Sequence, residues 1–134
     1  MGGPKACSTI GGEAYLSFQP HQLPGPRPAY RYAATVVRWI DGDSAILRVD
    51  LGFHLWMETR FRLVGIDTPE RGRPGAAEAT ALVNELAPPG AAVVIDSRPA
   101  ADKYGRWLAT VRTVGGVVVN TALLERGMAR PYDP

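Results

Sequence analysis

A chain of 134 residues has room for one compact domain and little more. With 46% hydrophobic and 21% charged residues it has the composition of a globular protein, which excludes an intrinsically disordered chain. A net charge of only +2 excludes tight binding of a polyanion by bulk electrostatics, so any such contact must come from locally placed cations.

The first segment, 1–32, is rich in Gly and Pro, and "QPHQLPGPRPAY" reads as extended or polyproline-like backbone. It is expected to be an irregular arm preceding a domain over 33–134. Lys5, Arg27 and Arg31 against Glu13 put the whole net charge in this arm, and the remainder is neutral. "MGGPKACSTIGGEAYLSF" lacks the apolar core of a secretory signal, and Ala6 stands where a myristoylation signal wants Ser or Thr. Cys7 has no partner for a disulfide. A cytoplasmic monomer with no membrane partner is the default expectation, since no apolar run approaches the roughly 20 residues of a spanning helix.

From Ala33 the pattern becomes regular. "ATVVRWI" is β-branched and stops at the Asp-Gly turn of "DGDS"; "SAILRVD" returns as a second strand with Ala45, Leu47 and Val49 on one face. "HLWMETRFRLVGI" alternates Leu55, Met57, Phe61 and Leu63 toward a core with His54, Glu58, Arg60 and Arg62 on a polar face. The period then changes: Ala79, Leu82, Val83 and Leu86 fall at helical spacing between Pro74 and Pro88. "AAVVIDS" and "RWLATVRTV" read as two more strands. A Gly115-Gly116 turn and a short strand lead to a second helix, with Asn120 as its N-cap and Gly127 as its stop. The expected fold is α+β, a five-stranded OB-type Greek-key β-barrel with two short helices.

Three polar clusters lie at strand ends, and each has a bland reading. "IDGDS" is a hairpin turn signal, "IDTPE" a capped turn, and "DKYGR" a solvated turn. Together they hold what phosphodiester cleavage needs. Asp43 and Asp67 offer oxygen ligands to a hard cation, Arg62 and Arg106 a clamp for phosphate, and Glu70 a base for water.

The order and spelling of "ATVVRWIDGDS", "FRLVGIDTPE", "DKYGRWLA" and "VNTALLERGMA" closely resemble the staphylococcal nuclease (thermonuclease) family, over roughly 33–132. The resemblance implies an OB-type barrel and calcium-dependent hydrolysis of DNA and RNA to products ending in 3′-phosphate. It also implies Asp43, Asp67 and the carbonyl of Thr68 as calcium ligands, with Asp41 near the metal. Glu70 would act on the attacking water, and Arg62 and Arg106 on the scissile phosphate. Lys103 and Tyr104 would contact a terminal phosphate of the bound nucleotide, and Tyr132 would stack on a base. The loop "RGRPG" is shorter than the family's Lys-rich loop and carries only Arg71 and Arg73. The chain also stops at Pro134, about where the family's last helix would begin, so the expectation is either that this helix is dispensable here or that the arm takes over its packing. The rival reading is a non-catalytic nucleic-acid-binding or peptide-binding module on the same barrel. His21 and His54 are expected at the surface, and Trp39, Trp56 and Trp107 in barrel packing.

Overall fold

The computed structural model describes residues 30–98 and 103–132. Cys7, His21 and the rest of 1–29 lie outside the described residues. β1 (Arg31–Asp41), β2 (Ser44–Gly52) and β3 (Leu55–Leu63) form an antiparallel meander, followed by a two-residue β4 (Ile66–Asp67) and α1 (Ala76–Leu86). β5 (Ala92–Ser97), β6 (Trp107–Thr113), α2 (Val119–Glu125) and β7 (Arg130–Pro131) complete the order. The five long strands close a barrel in the order β1-β2-β3-β6-β5, with β3 and β6 parallel, and β4 pairs separately with β7. No described helix is long and apolar enough to cross a membrane.

The core follows the alternation that the strands display in sequence. Ala45, Leu47 and Val49 of β2 point inward with Val36, Ile95 and Val111, all essentially without solvent contact. Each such aliphatic side chain contributes about 1.5–3 kcal/mol on burial. α1 closes over this core with Ala76, Ala79, Leu82 and Val83, and the Trp39 indole donates to the Ala87 carbonyl at 2.8 Å. Trp39 is therefore a packed barrel residue with its polar atom satisfied, as expected.

β3 departs from its alternation. Phe61 and Leu63 are buried, but Leu55 and Met57 on the same face are 59% and 36% exposed. The reason is topological: β6 pairs with β3 only over Phe61–Leu63, so the first half of β3 has β2 as its sole neighbour. Met57 there faces an apolar recess shared with Tyr30, Tyr32 and Ile95 instead of a closely packed neighbour. The strand also ends at Leu63 instead of running to Ile66, because Gly65 turns left-handed (φ 81°) and redirects the chain into β4.

The helix α2 starts at Val119 with Val118 at its cap position, so Asn120 is not the N-cap. Its buried side chain takes the Val111 N–H at 3.1 Å and donates to the carbonyls of Val64, at 2.9 Å, and Ala109, at 3.3 Å. The helix stop is where expected: Gly127 is left-handed (φ 72°), Met128 N–H reaches Leu123 O and Gly127 N–H reaches Leu124 O. This is a Schellman arrangement. The short strand expected before α2 is a single bridge between Arg112 and Val118.

Two predictions follow from these contacts. Asn120→Ala leaves a buried N–H and two carbonyls short of a partner and is expected to lower stability by about 2–4 kcal/mol in urea denaturation. At the β2–β3 hairpin, Phe53 and His54 adopt φ of 56° and 60°, the left-handed pair that two-residue turns normally fill with Asn-Gly. Phe53→Asn with His54→Gly is expected to raise stability by about 1–2 kcal/mol, read by thermal melting.

Candidate active site

The β1–β2 turn builds one wall of the site. Asp41 pairs with Ser44, so Gly42 and Asp43 form the loop, and Gly42 does not take a left-handed conformation. Its lack of a side chain answers a different need. A Cβ there would lie 2.8 Å from Ala79 Cβ and 3.0 Å from Thr68 Cγ2, so the turn can press against α1 and the β4 edge only with glycine. Asp43, buried in consequence, accepts the Thr68 N–H at 3.2 Å on one carboxylate oxygen and the Ser44 hydroxyl at 3.2 Å on the other. Its own N–H donates to Asp41 Oδ1 at 3.1 Å.

The third strand delivers Arg62. Its outward parity suggested an exposed side chain, yet it is 8% exposed because the chain folds back over it at Gly65. Nη1 donates to the carbonyls of Leu63 at 3.0 Å and Ile66 at 2.9 Å. Nη2 lies 3.2 Å from Asp67 Oδ1 and 3.4 Å from Asp43 Oδ2. The Tyr132 ring is 5.3 Å from the guanidinium carbon, placed there by β7 and by Tyr132 N–H donating to Gly65 O at 3.0 Å. Asp67 receives a second cation, Arg130, at 3.5 Å.

The two acidic residues of the turn titrate against each other. Burial, then the hydrogen bond and charge of Asp43, push the Asp41 carboxyl up to about 6. Burial alone would raise Asp43 too, but the hydrogen bond from Asp41, the Arg62 charge, the Thr68 N–H and the Ser44 hydroxyl outweigh it and hold Asp43 below the ordinary carboxylate range.

Nine of the residues singled out from the sequence line one cleft of about 940 Å³, Asp43, Arg62, Asp67, Thr68, Glu70, Lys103, Tyr104, Arg106 and Tyr132, and Asp41 lines it with them. Lys103 and Arg106 flank the exposed Tyr104 ring at 5.2 Å each. Two further arginines belong with them. Arg60 lines the same cleft, and the alternation of β3 had already put it on the same face as Arg62. Arg130 carried no local signal, because only the β4–β7 pairing brings it to Asp67.

The donor set suits a hard cation. Two carboxylates approach one guanidinium nitrogen, and Thr68 Oγ1 is buried beside the turn without a hydrogen-bond partner among the described residues. Among those residues no three acidic, His or Cys side chains converge, so an ion here would rely on two carboxylates, backbone oxygen and water. That all-oxygen, partly hydrated set fits Ca²⁺ or Mg²⁺ and does not fit a soft metal.

These features define a small OB-type barrel protein whose cleft opposes carboxylates and arginines around room for an anion. The family described as "Staphylococcal nuclease homologue" matches residues 60–133, and the chain belongs to it. The thermonuclease of Staphylococcus intermedius is 35% identical over 108 residues, which is 74% of this chain and 60% of the relative.

Because the turn depends on close approach, Gly42→Ala is expected to cost about 1–3 kcal/mol in stability.

Proposed function

We propose that the protein is a calcium-dependent endonuclease that hydrolyses DNA or RNA to products ending in 3′-phosphate. The observation that carries the reading is the lining of a single cleft by Asp43, Asp67 and Glu70 together with Arg62 and Arg106. The likeness to a thermonuclease supports it at the level of the whole domain.

Asp43, Asp67 and the Thr68 carbonyl would hold Ca²⁺, whose chemistry is to oppose negative charge on phosphate oxygen. The rest falls to the chain's own side chains. Arg62, already fixed by two carbonyls and two carboxylates, presents a guanidinium that needs little reorganisation as charge gathers on the phosphate. Arg106 lines the same cleft and would clamp the phosphate with it, and Lys103 with Tyr104 holds a neighbouring phosphate. Exposed Glu70 takes a proton from the water that attacks phosphorus. The bond from phosphorus to the 5′-oxygen breaks, that oxygen gains a proton, and a 3′-phosphate remains. A mechanism directed at phosphate reads little of the base.

The test is digestion of single-stranded DNA, duplex DNA and RNA by the purified protein, with calcium and with chelator. Glu70→Gln is expected to lower turnover by about 10²–10⁴ while retaining calcium binding. Asp67→Asn is expected to weaken calcium affinity itself, and Arg62→Lys to lower the rate by about 10²–10³, because a point charge does not reproduce the guanidinium fork. If all substrates survive in a range of divalent ions, the nuclease reading fails and the binding module takes its place.

A further inference from the structure

The cleft does not end at Arg62. Residues 56, 58, 60 and 62 share the outward face of β3, each about 6.8 Å from the next. Arg60 lines the cleft beside Arg62, and farther along the same row stands Trp56. Trp39 is buried and Trp107 partly covered, whereas Trp56 is 49% exposed, against the expectation of barrel packing. Arg48, on β2, lies over the Trp56 ring at 4.6 Å and is itself exposed. From Arg62 to Trp56 the row runs roughly 20 Å.

We propose that this row is a second binding site, an extension of the cleft that takes a single-stranded polynucleotide laid along β3, with Arg60 on its backbone and the Trp56–Arg48 stack as a platform for one base. The proposal rests on the nuclease reading above for the polarity of the cleft, and it names the substrate form that reading leaves open. The exposed cations along the row are Arg48 and Arg60, with Glu58 as the carboxylate on β3 between them, while Arg62 at the cleft end is held by Asp43 and Asp67. Glu58 faces Arg48 directly across the strands, and nearby Asp50 is turned to the Gly52 N–H at 2.8 Å. A single strand is selected because only an unstacked base can offer its face to an aromatic or guanidinium plane, and in a duplex those faces are covered by neighbouring bases.

The experiment titrates the Glu70→Gln protein, with calcium present, with labelled oligothymidylates three and twelve nucleotides long, and with a twelve-base-pair duplex. Trp56→Ala is expected to weaken the dodecanucleotide about tenfold, the loss typical of one stacked base, and Trp56→Phe to restore most of it. Quenching of tryptophan emission by the dodecanucleotide is expected to disappear in Trp56→Phe, and Arg60→Gln to flatten the slope of log affinity against log salt by about 0.7. The proposal is overturned if Trp56→Ala binds the dodecanucleotide as tightly as its parent, if the duplex gains as much from Trp56, or if no oligonucleotide binds. Wild-type protein that cleaves single strands while the Trp56 variant keeps full affinity sinks the track alone. Trp56-dependent binding by a wild-type protein that cleaves nothing sinks the nuclease reading alone.

Discussion

A single buried guanidinium organises the cleft end of the barrel. Arg62 would cost several kcal/mol as an unpaired buried charge, and the structure offsets this with two carbonyls and two carboxylates drawn from three separate elements. Asp43 comes from the β1–β2 turn, Asp67 from β4, and the carbonyls from the end of β3 and the start of β4. Satisfying one charge therefore fixes the relative positions of the turn, the strand end and the β4 edge. The same contacts aim the cation at the cleft in advance, which is the condition under which a fixed charge is most effective on a transition state.

The two-sided pairing of β3 and the large cleft lie at the same end. β3 is flanked on both sides only from Phe61 onward, and there Asn120 of α2 ties the Val64 carbonyl to the β6 backbone. At the far end β3 has one neighbour. Tyr30, Tyr32, Leu51, Met57 and Trp107 line an apolar recess of about 220 Å³ there, and the hairpin tip presents Phe53 at 94% exposure in a left-handed conformation. The barrel is thus well packed where it must hold charged groups at fixed distances and looser where it does not. Along the seam between the two ends lies the row from Arg62 to Trp56.

Much of the fold was legible because it obeys simple periods. Ala45, Leu47 and Val49 alternate and are buried; Ala79, Leu82 and Val83 follow the helical period and are buried; Gly127 stops α2 as its position indicates. Turn chemistry was less transparent. The Asp-Gly signal marked the right hairpin for the wrong reason, since Gly42 is required by the approach of Ala79 and Thr68 and not by a left-handed backbone. The hairpin that does need left-handed residues holds Phe53 and His54, which no turn preference selects. Asn120 resembled a cap because Asn commonly caps, whereas its side chain bonds backbone that is remote in sequence.

The sequence by itself determined which polar residues stand together at the strand ends: the spacing within "IDGDS" and "IDTPE", and the parity of Arg60 and Arg62, are properties of a strand and its ends that no distant contact alters. Only the tertiary structure decided their surroundings. Leu55 and Met57 are exposed because β6 stops short of them, Arg62 is buried because the chain returns at Gly65, and Arg130 reaches Asp67 because β7 pairs with β4. Alternation says which way a side chain points. What it meets depends on how far the neighbouring strand extends, and that is set by pairings between residues far apart in the chain.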